Sequence, residues 1–234
     1  MSSDGSILAS GGFDGTVTVW ETTTQRRLAT LLGHTGTVRG VALSADGHLL
    51  ASGAEDEVVR LWNPGTGSLL ATLYGHAGGI FDLAVSASGH RVASAGEDGT
   101  VRVWDVGTGG PVATLSGHSG GVLGVTMSAD GNLVVCGSFD GTLRHWERGT
   151  EQPATILPGH VGAVWGVALA ADARLLASGG FDGTVRLWDA TTGRWLRSGR
   201  ADRRYERLDI TGLAGITAAQ RSALLALGAI DHSE

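Results

Sequence analysis

Between residues 33 and 74 short apolar runs alternate with polar turns, in the order TVRGVALS, ADGH, LLASGA, EDE, VVRLWN, PGTG, SLLATLYG. Each apolar run holds about 5 to 7 residues rich in Val, Leu or Thr and is bounded by Asp, Gly, Asn or Pro, the signature of short strands joined by tight turns. No run before residue 210 is long enough for a helix. The pattern then recurs. Trp20, Trp62, Trp104, Trp146 and Trp188 are spaced by 42 residues, as are Asp14, Asp56, Asp98, Asp140 and Asp182 and the Gly-His pairs ending at His34, His76, His118 and His160. Residues 7–20 (ILASGGFDGTVTVW) and 175–188 (LLASGGFDGTVRLW) agree at 11 of 14 positions. A four-stranded sheet of this size has two apolar faces and is unstable alone, so the units are expected to bury those faces against one another by radial stacking. The predicted fold class is all-β.

A Gly-His pair followed 28 residues later by Trp-Asp, Trp-Glu or Trp-Asn, at a 42-residue period, resembles the WD40 β-propeller family over residues 1–199. The resemblance implies that each unit is a blade with an internal hydrogen-bonded network. Its members are His34, Ser52, Asp56 and Trp62; His76, Ser94, Asp98 and Trp104; and His160, Ser178, Asp182 and Trp188. The fourth unit has His118, Asp140 and Trp146, but Cys136 replaces the Ser, which should weaken that network by about 1 kcal/mol per lost bond. The chemistry of the side chains supports this role: a buried Asp needs donors, a His ring supplies one, and a hydroxyl links His to the Trp N–H. His, Ser and Asp in every unit also match the composition of a hydrolase triad, yet a catalytic site needs no copying from unit to unit, so the set reads as structural.

The resemblance further implies that ligands dock on one rim. The positions before the turn Asp are Phe13, Glu55, Glu97, Phe139 and Phe181; those on the inner strand are Arg39, Phe81, Leu123 and Trp165; a third set, Thr37, Gly79, Gly121 and Ala163, is small. All four Phe of the chain fall here, a concentration of aromatic residues expected of a protein-binding hot spot, with packing between blades as the competing reading. If the ring closes, Phe139, Trp165, Phe181 and Phe13 form an apolar crescent opposite an acidic arc of Glu55 and Glu97. That surface suits a protein or peptide segment with a hydrophobic anchor and a basic flank. A glycan or small ligand is the alternative. An enzyme would show a charged pair confined to one or two units near the channel, and none stands out. His48 and His90 sit in turns, and His145, where other units have Val or Leu, reads as a half-buried strand residue.

Both ends depart from the repeat. MSSDG (1–5) aligns with MSADG (127–131), so the first unit lacks its innermost strand and the chain is one strand short of five whole blades. An internal Met serving as start, in the C-terminal part of a longer propeller, is the favoured expectation; an imperfectly closed five-blade ring, or two chains completing each other through the incomplete first blade, is the alternative. At the other end, residues 200–234 form a tail in which TAAQRSALLALGA (217–229) has apolar residues at helical spacing, Thr217 with Gln220 as a capping box and Gly228 as a stop. A helix is expected over about 217–228. The stretch YERLDITGLAGITAAQRSALLALGAID resembles tails that follow propellers in large bacterial signalling proteins carrying an NTPase switch module or a kinase upstream. The Arg-rich run RWLRSGRADRRYER could meet phosphate or RNA, but Asp202 and Glu206 are interleaved, so a solvated connector is expected.

Composition narrows the picture. Of 234 residues, 42% are hydrophobic and 17% charged, too apolar for a disordered chain; 39 Gly supply the turns, and 1 Cys rules out an internal disulfide. All 17 basic residues are Arg, which removes Lys-dependent chemistry such as the P-loop clamp and Schiff-base catalysis. Residues 194–234 hold 7 Arg against 5 acids, leaving 10 Arg against 18 acids in the body, a balance that argues against nucleic acid as the main ligand. No cofactor is expected, and the Asp-Gly pairs lack the alternating acidic ligands of a calcium loop. With no apolar run of about 20 residues and no visible export signal, neither a membrane span nor secretion is expected, and the location predicted is cytoplasmic.

Overall fold

The computed structural model describes residues 1–147, 149, 155–157, 160–200, 217–226 and 230–231; the predicted stop at Gly228 lies outside them. Blade 1 consists of β1 (Ile7–Gly11), β2 (Val17–Glu21) and β3 (Arg26–Leu31). Blade 2 holds β4 (Val38–Leu43), β5 (Leu50–Ala54), β6 (Val59–Asn63) and β7 (Ser68–Leu73), and blade 3 holds β8 (Ile80–Val85), β9 (Arg91–Gly96), β10 (Val101–Asp105) and β11 (Pro111–Leu115). Blade 4 is β12 (Val122–Met127), β13 (Leu133–Ser138), β14 (Leu143–Glu147) and β15 (Thr155–Leu157); blade 5 is β16 (Val164–Leu169), β17 (Leu175–Gly180), β18 (Thr184–Asp189) and β19 (Trp195–Arg200). Each blade is a meander in chain order, three-stranded in blade 1 and four-stranded in the others. The inner strands β4, β8, β12 and β16 pack side by side.

Apolar residues on successive blades meet at four junctions. Val17, Val19 and Leu31 of blade 1 bury Trp62 and Leu50 of blade 2; Val59, Leu61 and Leu73 of blade 2 bury Trp104 and Val92 of blade 3. Val101, Val103 and Leu115 then cover Trp146 and Val134, and Leu143 with Leu157 covers Trp188 and Leu176. The Trp at each strand end is therefore the large knob that fills the preceding blade's hollow face.

Among the described residues the two outermost faces have no such neighbour. Val185 of blade 5 is 53% exposed, whereas Val17, Val59, Val101 and Leu143 at the same position are at 0%. A Cβ at Gly11, Gly53 or Gly137 would run into Val38, Ile80 or Val164 of the next inner strand, but the matching Gly179 has nothing within 4 Å. On the other side, Leu8 of blade 1 is 41% exposed where Leu50 is at 0%. Among the described residues no apolar cluster joins blade 5 to blade 1, so the closure on which a consecutive Phe181 and Phe13 depended is not seen there.

The chain divides into two compact units, Met1–Ser198 and Gly199–Glu234. In the second, helix α1 spans Ala218–Ala226. The Gln220 backbone N–H donates to the Thr217 hydroxyl at 3.2 Å and the Thr217 N–H donates to the Gln220 side-chain oxygen at 2.8 Å, a reciprocal capping box.

Candidate functional site

The buried networks come first because they hold the blade ends in place. In blade 2 the Trp62 indole N–H donates to Ser52 Oγ at 2.8 Å, Ser52 Oγ lies 2.8 Å from His34 Nε2, and His34 Nδ1 lies 2.9 Å from the Asp56 carboxylate. Since Ser52 Oγ already accepts from Trp62, its proton goes to His34 Nε2, which leaves the ring hydrogen on Nδ1 to be donated to Asp56. Blades 3 and 5 repeat the chain through Trp104, Ser94, His76 and Asp98 and through Trp188, Ser178, His160 and Asp182. The carboxylate also accepts the backbone N–H after each His, as from Thr35 to Asp56. Ser52 and Ser94 are at 0% exposure and Ser178 at 1%, so no substrate reaches these hydroxyls. Burial lowers the pKa of His34 and His76, against the opposing bonds and charge of Asp56 and Asp98.

Blade 4 departs as its sequence does. His118 Nδ1 holds Asp140 at 2.8 Å, but Nε2 faces Cys136 Sγ at 3.1 Å and the buried Trp146 Nε1 has no partner. Burial raises the Cys136 thiol far above its ordinary range, so it is an inert neutral group.

The networks fix the Asp-Gly turns, and those turns carry the rim residues. A shared device positions the inner-strand set. The β4–β5 register slips between Val38 and Gly40, β8–β9 between Ile80 and Asp82, β12–β13 between Val122 and Gly124, and β16–β17 between Val164 and Gly166. The residue skipped each time is Arg39, Phe81, Leu123 or Trp165. A bulge re-aims its side chain, and here it turns one residue in each of blades 2 to 5 toward a common mouth.

Gly11, Phe13, Thr37, Val38, Arg39, Phe81, Leu123 and Trp165 line one cavity of about 330 Å³. Two of its aromatic residues are bridged by a ring beside it: Phe81 and Phe139 meet edge to face at 6.3 Å between ring centres, and Phe139, which does not itself line the cavity, meets Trp165 at 5.8 Å. Phe13 and Phe181 stand out at 92% and 75% exposure, while Leu123 is buried. The apolar arc therefore starts one blade earlier than expected, at Phe81, because this ring lies on the bulge and reaches its neighbour. Phe181 does not line this cavity; its backbone N–H donates to Ala163 O.

A second cavity of about 360 Å³ adjoins the first through Arg39 and Phe81 and is lined by Glu55, Glu57 and Glu97. Arg39 Nε donates to Glu55 at 3.1 Å while its guanidinium lies 5.5 Å over the Phe81 ring, and this bond, followed by one from Thr37, lowers the Glu55 pKa. Glu55 and Glu97, the expected acidic arc, line this cavity together with Glu57, and Glu55 is ion-paired with Arg39. Glu57 was missed, although its signal is in the sequence, since it replaces the Gly of the Asp-Gly turn and takes a left-handed φ of 68°. Asp82, beside the bulge, is half-buried; desolvation raises its pKa against bonds from the Val125 and Leu83 backbone N–H. Among the described residues no group of three metal-ligating side chains occurs, and no helix is long and apolar enough to cross a membrane.

Antiparallel blades in chain order, three of them tied by His-Ser-Asp-Trp chains, with a bulged inner-strand residue in blades 2 to 5, define a propeller built of repeated blades. The family model described as WD domain, G-beta repeat matches residues 1–21, 25–63, 67–105, 109–147 and 151–189. The chain belongs to the WD40 repeat family, as a β-propeller of five blades. No curated protein matches it.

Proposed function

We propose that this propeller is a non-enzymatic protein-interaction module whose rim captures an extended protein segment through an apolar anchor followed by a basic residue. The observation that carries the reading is the pair of adjoining cavities, one walled by Phe81, Leu123 and Trp165 and the other by Glu57 and Glu97. WD40 repeats in general serve as protein-interaction scaffolds. Exposed rings that make edge contacts with one another and have water on their outer faces are suited to hot-spot recognition. The burial of every network Ser supports the non-catalytic reading. The uncovered faces of blades 1 and 5 support self-association as a second contact mode, and the resemblance of the tail supports a role as the docking end of a larger bacterial signalling protein, in the cytoplasm.

Selection from a random peptide display library tests the reading, with a glycan array in parallel. Enrichment of peptides that pair an aromatic or aliphatic residue with Arg or Lys is expected. Glycan binding without peptide enrichment would replace this reading by carbohydrate recognition.

A further inference from the structure

We infer that Arg39 is a resident stand-in for the partner's basic residue: its guanidinium holds the place between the Phe81 ring and the Glu55 carboxylate that a partner's Arg side chain takes when Arg39 swings out. This role presupposes the peptide-binding rim, and it specifies the partner's basic group as a guanidinium rather than an ammonium.

Arg39 is the odd member of the bulge series. Blades 3, 4 and 5 place the apolar Phe81, Leu123 and Trp165 there, so the fold itself needs no charge at this position. Arg39 and Phe81 are also the two residues common to the apolar cavity and the acidic one. The Arg39 guanidinium lies 5.5 Å over the Phe81 ring while its Nε donates to Glu55 at 3.1 Å, so one cation engages a ring and a carboxylate together. The place is thus fitted to a flat group that stacks and at the same time aims N–H donors at an acceptor. An ammonium is a point charge with no plane to stack.

The resident is easily displaced. The Arg39 and Glu55 side chains are 44% and 43% exposed, and an ion pair so open to water holds its partners weakly. Thr37 also bonds the Glu55 carboxylate, so the acceptor stays in place when Arg39 leaves. Glu55, Glu57 and Glu97 line the acidic cavity against this single Arg, and the surplus of negative charge draws in a second cation. That cation then competes with Arg39 for the same ring and the same carboxylate.

Calorimetric titration of the intact protein with a display-selected peptide that carries Arg, and with the same peptide carrying Lys or Ala in its place, tests this. Arg39→Ala should tighten the Arg peptide about fivefold, since the competitor it removes is held only as firmly as a surface ion pair. The Lys peptide should gain less and the Ala peptide nothing. Glu55→Gln should weaken the Arg peptide, and in that background the gain from Arg39→Ala should fall below about twofold, because both changes act on one contact. Unchanged or weaker binding of the Arg peptide by Arg39→Ala would overturn the stand-in while leaving the rim as a binding surface. An equal gain for the Lys or Ala peptide would overturn it too, by reducing the effect to long-range charge or to a wider mouth. A selection that returns no peptide with a basic residue would overturn the rim reading itself, and this role with it.

Discussion

His118 Nε2 meets Cys136 Sγ at 3.1 Å, where the same nitrogen of His34, His76 and His160 meets a Ser hydroxyl at 2.8 Å. The thiol is a weak donor and a weak acceptor, so the chain from indole to carboxylate stops there and the Trp146 N–H is stranded in the core. Cys136→Ser should restore the missing acceptor and stabilise the protein by about 1 kcal/mol. The urea midpoint measures this; an unchanged or lowered midpoint would mean that the larger sulfur is needed for packing.

Acid should unfold the protein in two steps of one sign. Burial lowers the folded-state pKa of His34, His76 and His118, so the unfolded chain binds more protons as pH falls through about 6.5, and stability declines from there. For Asp140, burial alone would raise the pKa, but bonds from Thr142 and then His118 hold it at about 2. Its contribution is complete above the unfolded value near 4 and is lost as pH falls toward about 2. Thermal midpoints recorded from pH 7 to pH 3 should drop first between about 7 and 5 and again below about 4. A flat profile down to about pH 4 would contradict the buried neutral histidines.

Three non-glycine residues occupy left-handed turn positions where sister units carry Gly; one is Gln25, with φ 57° in the place of Gly67, Gly109 and Gly193, and the other two are Ala173 and Glu57. Ala173 has φ 57° in the place of Gly47, Gly89 and Gly131, and Glu57 has φ 68° in the place of Gly15, Gly99, Gly141 and Gly183. Ala173→Gly and Glu57→Gly should each stabilise by about 1 kcal/mol, read from denaturant midpoints. They should differ in binding: only Glu57→Gly removes charge from the rim, so only it should weaken a basic peptide.

Strand order and the network residues were legible because the 42-residue period placed Trp62, Asp56 and His34 in register with their copies. What the sequence did not disclose depends on contacts across the sheet or between blades. Arg39 and Glu55 are 16 residues apart and meet only because β4 and β5 pair with a bulge at Arg39. The Phe81–Phe139 contact likewise spans two blades, so no local pattern signals it. His145 was recognised as a break in the apolar pattern, but the cleft it lines is bounded by Ala173 and Ala190 of the next blade, whose proximity is a tertiary fact.

The rim as a peptide-binding surface is the claim on which the functional account stands. Calorimetric titration of a display-selected peptide against wild type, Phe139→Ala, Trp165→Ala and Glu97→Gln tests it directly. Phe139 and Trp165 are about half exposed, so their removal should leave the melting temperature in place while each costs about 2 kcal/mol of affinity, roughly thirtyfold. Glu97→Gln should weaken binding less and flatten its salt dependence. Unchanged affinity in Trp165→Ala and Phe139→Ala, with both proteins folded, would contradict the account.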